Sequence, residues 1–240
     1  MSDPTASQAF FDPASPFGAL ADWECQSENP QETCQRAQAL KSNGDELRSK
    51  NFNHKTTVSA DYTANAATAA IPKAGAVLNG FHVDTVTVKY NQNDFAKMTI
   101  TGHKHGSPAA NHPACRTYTG SLATVGVIFG CPATLPGILN VSGAGVRSAT
   151  YTLGCSHIDE PGSQGEFLAA GNPDGVETSE VEFCDTLGAT GADTTNGWSL
   201  STRNTSLGNT QADAVTVSAE HHIQKDSNSA NVGETASQSS

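Results

Sequence analysis

Basic charge is scarce in this sequence. Only 13 Lys and Arg stand against 24 Asp and Glu, a net charge of -11 over 240 residues. A chain this acidic gains nothing from counterion release on DNA or RNA, so specific nucleic-acid binding is not expected, and anionic membrane surfaces are poor partners for the same reason. No apolar stretch approaches the roughly 20 residues that span a bilayer. The opening Met1-Ser2-Asp3-Pro4 lacks the basic start and apolar run of a signal peptide, which sets the expectation of synthesis and folding in a cytoplasm. None of the six cysteines (Cys25, Cys34, Cys115, Cys131, Cys155 and Cys184) is spaced C-x-x-C, and in that compartment they read as free, partly buried thiols. No P-loop and no G-x-G-x-x-G fingerprint is present, so nucleotide chemistry has no anchor.

The hydrophobic fraction of 36% is low, and Ser, Thr, Asn, Gly and Ala are abundant, a composition that favours short strands and turns over long helices. The length suits one large β domain or two small ones. Residues 1–28 read as an arm, polar but carrying Phe10, Phe11, Phe17 and Trp23; so many aromatics in a short stretch predict that it docks, on its own domain or on a neighbouring subunit. Residues 29–54 leave two readings open. Asn29, Pro30 and Glu32 resemble a helix start, whereas Ser42-Asn43-Gly44-Asp45 is a hairpin turn signal.

From residue 55 the apolar period is two. Val58, Ala60 and Tyr62 alternate with polar residues, as do Val86, Val88 and Tyr90, and, after Asn91-Gln92-Asn93-Asp94, Ala96, Met98 and Ile100. These segments predict half-buried antiparallel strands with an apolar inner face and a Thr/Lys outer face. Further strands are expected at 146–153, 180–183 and 214–219, separated by long connections at 154–175 and 185–196, with a flexible tail at 225–240. A V-x-S-A-x-Y-like strand followed by a strand ending in histidines occurs twice, at 55–105 and 146–222, which raises two similar tandem β units within a β-sandwich or barrel spanning 29–224.

Residue clusters with chemical potential are few. His103 and His105 share one strand face, and His112 and Cys115 follow in a Pro-containing loop. Their spacing matches no zinc template, so the expectation is no metal site and no cofactor. Ser156-His157-Ile158-Asp159-Glu160 holds the residue types of a hydrolase triad, but adjacent residues of an extended chain point oppositely and no G-x-S-x-G elbow accompanies them. Asp159, Glu160, Asp174 and Glu177 lack calcium-loop spacing. With no catalytic residues to name, the chain is not expected to be an enzyme.

The run Ala39 to Phe52, with its Asn43-Gly44-Asp45-Glu46 turn, leading into Thr57-Val58-Ser59-Ala60-Asp61-Tyr62, resembles the opening of bacteriophage tail-tube (major tail) proteins. The 85–101 hairpin is similar in style. The resemblance implies a structural β-sandwich or barrel subunit that self-assembles into rings, stacked as a tube in the virion, through which DNA passes without being bound. It also implies homo-oligomer contacts, placed here on Phe10, Phe11, Phe17 and Trp23, and contacts with other virion proteins. Two further readings are a capsid decoration protein and an extracellular β-sandwich module for carbohydrate binding or adhesion.

Overall fold

The computed structural model describes residues 15–105, 115–138, 145–161, 167–184, 197–206 and 214–223. The described residues form an all-β protein of eleven strands: β1 (Trp23–Leu40), β2 (Glu46–Ala64), β3 (Val77–Leu78), β4 (Phe81–Asn91), β5 (Lys97–His105), β6 (Val146–Cys155), β7 (Ile158–Pro161), β8 (Phe167–Gly171), β9 (Gly175–Cys184), β10 (Ser199–Ser206) and β11 (Ala214–Ile223). Nine strands make one antiparallel sheet in the order β1-β2-β5-β4-β6-β9-β11-β10, with β3 beside β4; β7 and β8 form a separate hairpin. The sheet is not closed into a barrel, and the architecture is consistent with a β-sandwich.

The period-two strands bury the faces the sequence assigns. Val58, Ala60 and Tyr62 of β2, Val86, Val88 and Tyr90 of β4, and Met98 and Ile100 of β5 are all 3% exposed or less. Val181, Val215 and Val217 continue this face across the second half of the sheet. The opposite face carries hydroxyls in ladder positions: Thr85 bonds Thr101 at 2.5 Å, and Asp61 accepts from Ser27 and Thr99 at 2.8 and 2.7 Å. Such cross-strand pairs are the unit of stabilisation on a sheet surface.

The apolar face is covered largely by irregular chain, tied down by buried polar groups. Tyr90 donates its hydroxyl to the carbonyl of Val125 at 2.8 Å, and Tyr118 to that of Asn172 at 2.8 Å. Glu177, only 1% exposed, accepts from the Tyr151 hydroxyl (2.5 Å), the Ser121 amide (2.7 Å) and hydroxyl (2.6 Å), and pairs with His221 (2.7 Å). A buried carboxylate is tolerated when its oxygens are satisfied in this way.

The open question over residues 29–54 resolves as the hairpin. β1 and β2 pair across Ser42-Asn43-Gly44-Asp45, with Gly44 at φ 88°, a conformation glycine adopts without a Cβ penalty. Pro30 sits inside β1, an edge strand, where a residue without an N–H is accommodated. The 154–175 connection is not wholly irregular, since it contains β7 and β8. The two repeat segments lie side by side in one continuous sheet; β2 neighbours β5, but β9 separates β6 from β11, so the neighbour relations of the two halves differ. The 185–196 connection, the tail from 225, and residues 1–14 with Phe10 and Phe11 lie outside the described residues.

Of the two docking places expected for the arm, Phe17 and Trp23 take the chain's own domain. They are 2% and 7% exposed within this chain's own core, with Phe17 packed edge-on against Phe81 and the Trp23 indole N–H bonded to the Ala70 carbonyl at 2.8 Å. These two aromatics dock on their own domain and are not available as subunit contacts. The physical reason is Gly102, whose missing Cβ leaves the space that the Phe17 ring fills.

Candidate functional site

One register shift positions the site. Along β4 and β5, Val83 pairs with Gly102 and Thr85 with Thr101, so Asp84 is an inserted residue, a β-bulge. Strict alternation from Val86 and Val88 would turn Asp84 and His82 into the core. The bulge instead keeps Val83 in the core and sends His82 to the polar face, where it pairs with His103 of β5. His105 lies two residues further on the same face, opposite Lys55 of β2. After β6 the chain folds back over this face, carrying His157 and, on β7, Asp159.

The result is a cluster of buried imidazoles on the otherwise polar face, with Asp84 and Asp159 partly exposed. His82, His103 and His105 are 0%, 1% and 4% exposed. The ring of His157 lies 4.4 Å from that of His82 and 4.3 Å from that of His103, and the His103 and His105 rings are 5.2 Å apart. Asp84 accepts from Nδ1 of His82 (2.9 Å) and of His103 (2.8 Å). Asp159 meets His157 Nε2 (2.5 Å), His105 Nε2 (3.0 Å) and Lys55 Nζ (3.5 Å). Asn172 joins from the β8–β9 connection: its Oδ1 lies 2.9 Å from His157 Nδ1, and its Nδ2 donates to the Arg116 carbonyl and to His82 Nε2, both at 2.8 Å.

Burial raises the cost of every charge here. It pushes the imidazoles of His103 and His105 down, against the pull of Asp84 and Asp159. It also opposes ionisation of Asp84, but the hydrogen bonds from His103 and His82 outweigh it and hold that carboxyl well below the usual carboxylate range. Asp159 is likewise held low, with burial overcome by His157, His105 and Lys55. For His103 and His105 the direction is toward the neutral imidazole, beside two carboxyls held low. Cys115 is nearby, its thiol pushed up by burial and by Asp159.

Of the four residues singled out in sequence as the weak metal candidate, His103 and His105 belong to this cluster, Cys115 borders it, and His112 lies outside the described residues. The residues that sequence reasoning missed are His82, Asp84 and Asn172, and the membership of His157 and Asp159. A signal existed: His82-Val83-Asp84, His103-Lys104-His105 and His157-Ile158-Asp159 are three pairs spaced two apart, the spacing that puts both side chains on one strand face. The triad-like run does not assemble as a triad. Ser156 Oγ bonds the backbone of Asp174 (3.2 and 3.1 Å), while His157 turns to Asn172 and Asp159. Nor do Asp159, Asp174 and Glu177 gather, because Glu177 faces the core and Asp174 pairs with the exposed His222 at 3.4 Å.

No protein-family model matches the chain, and no curated protein matches it significantly.

Proposed function

We propose that this protein is a structural, self-assembling subunit whose β1–β2 hairpin lies against a neighbouring copy. The finer reading is a virion component, a tail-tube subunit forming stacked rings. The observation that carries the proposal is the hairpin itself. β2 pairs with β5 over Lys55–Thr63, so among the described residues β1 is the sole strand neighbour of residues 46–54. At about 3.3 Å per residue this arm reaches roughly 30 Å beyond the sheet. Almost every position of β1 after Cys25 is exposed, and Leu40 and Leu47 near the tip are 57% and 58% exposed.

A lone two-stranded hairpin is marginal in water. Surface pairs such as Arg36–Glu46 at 2.6 Å add little. An arm of this length with an open edge gains stability when a second chain covers it. The acidic balance supports the tube reading, because a negative wall repels phosphates and lets DNA slide. In this reading DNA is a passenger and not a ligand.

The test is negative-stain microscopy and light scattering of the purified full chain, beside a Leu40→Asp/Leu47→Asp variant. The expected outcome is rings, tubes or a defined oligomer for the parent, and a folded monomer with an unchanged circular dichroism spectrum for the variant. A parent that stays monomeric at high concentration overturns the proposal, as does assembly unaffected by the two substitutions.

A further inference from the structure

We infer that the outer-face cluster binds one divalent transition-metal ion of the zinc class, with His103, His105, His157 and Asp159 as ligands. This inference does not depend on the assembly reading. The four residues each place a donor atom so that all four atoms lie within 4.8 Å of one another. Three imidazoles and one carboxylate form a donor set suited to zinc, and four protein ligands make a closed, structural type of site with no position reserved for substrate. The expectation of no metal site rested on spacing along the chain; the four donors come from two strands and a connection that only the fold brings together.

The hydrogen bonds around the cluster point the right nitrogens inward. Asp84 takes the Nδ1 proton of His103 at 2.8 Å. Asn172 is oriented by its Nδ2 bonds to the Arg116 carbonyl and to His82 Nε2, which turns Oδ1 toward Nδ1 of His157 at 2.9 Å. In both imidazoles Nδ1 is thereby held by an oxygen, and Nε2 is the nitrogen left for a ligand position. An oxygen that holds the remote N–H of a ligating imidazole is the usual support of a metal site.

His157 Nε2 lies 2.5 Å from Asp159 Oδ1, and His105 Nε2 lies 3.0 Å from Oδ2 of the same carboxylate, so two imidazole nitrogens converge on one carboxylate beside His103. A divalent ion at this point would be held by all of these donors at once. Bound there, it ties the β6–β7 connection and β7 to β5, fastening the small β7–β8 hairpin to the polar face of the main sheet.

The experiment uses the full chain, stripped with a chelator and re-equilibrated in metal-free buffer. Zinc uptake is measured by elemental analysis, and cobalt(II) serves as the spectroscopic probe. The expected result is one ion per chain and the strong visible bands of four-coordinate cobalt without a thiolate charge-transfer band. His157→Gln and Asp159→Asn should abolish stoichiometric uptake, Asp84→Asn should weaken it by about 10–100-fold, and His222→Ala should leave it unchanged. Copper(II)-loaded parent protein, which requires no variant to fold, should show coupling to imidazole nitrogens in pulsed electron paramagnetic resonance. No uptake by the parent overturns the inference, and so does uptake that survives both ligand substitutions in folded protein. A thiolate band or six-coordinate cobalt overturns the assigned donor set.

Discussion

Tyr151 offers a direct test of how the irregular layer is held to the sheet. Its side chain is fully buried, and its hydroxyl donates to Glu177 at 2.5 Å. Burial and the adjacent carboxylate push the phenol's pKa upward, which keeps the proton on Tyr151 as the donor to Glu177. Tyr151→Phe removes this one donor and leaves the Ser121 and His221 contacts to Glu177 in place. A hydrogen bond to a charged group contributes about 1.5–3 kcal/mol, against about 0.5–1.5 kcal/mol for a neutral pair. Tyr90→Phe is the matched control, since the Tyr90 hydroxyl is also buried but donates to a neutral carbonyl, that of Val125. Urea unfolding followed by tryptophan fluorescence and far-ultraviolet circular dichroism should show the larger loss for Tyr151→Phe. A loss of about 2 kcal/mol corresponds to a fall of about 4–8 °C in Tm for a chain of this size. If the two variants are destabilised equally, or Tyr90→Phe more, Glu177 is not the anchor of this layer.

Gly102→Ala should destabilise by about 1–3 kcal/mol or more, because the new Cβ would sit 2.4 Å from the His82 carbonyl oxygen and 2.8 Å from the Phe17 ring; calorimetry giving a parental Tm would show that the space exists. Among Cys25, Cys34, Cys115, Cys131 and Cys155, timed alkylation with peptide mapping should label the exposed Cys34 first and Cys155 last, since burial and the nearby Asp84 push the Cys155 thiol up to about 12. Early labelling of Cys155 would show that the end of β6 opens readily.

The strand faces were legible in the sequence because half-buried antiparallel strands write themselves as alternation, and Val58 to Tyr62, Val86 to Tyr90 and Met98 to Ile100 alternate cleanly. β10 was not legible. Ser199–Ser206 is almost wholly polar because it is an edge strand with little to bury, so no apolar period marks it. Most of β1 was ambiguous for the same reason. The fate of Phe17 and Trp23 was hidden because the space for Phe17 is made by an absence, the missing side chain of Gly102. The histidine cluster was half legible. Its i, i+2 pairs are visible, but their assembly depends on the bulge at Asp84, and one inserted residue in a ladder leaves no mark in composition or period.

The pairing of β1 with β2 shifts register between Cys25 and Ser27, between Thr33 and Gln35, and between Ala39 and Leu40. The first shift adds a residue to β1 and the other two each add one to β2, so the alternation of β2 is interrupted along the projecting arm. What continues unbroken from base to tip is the main chain of β1, whose outer edge no other described strand covers. A contact running along that edge is specified by the spacing of peptide groups and hardly at all by the letters displayed on it. Away from the apolar tip at Leu40 and Leu47, such a contact tolerates substitution at most of its positions and is sensitive to insertions and deletions, which change the count.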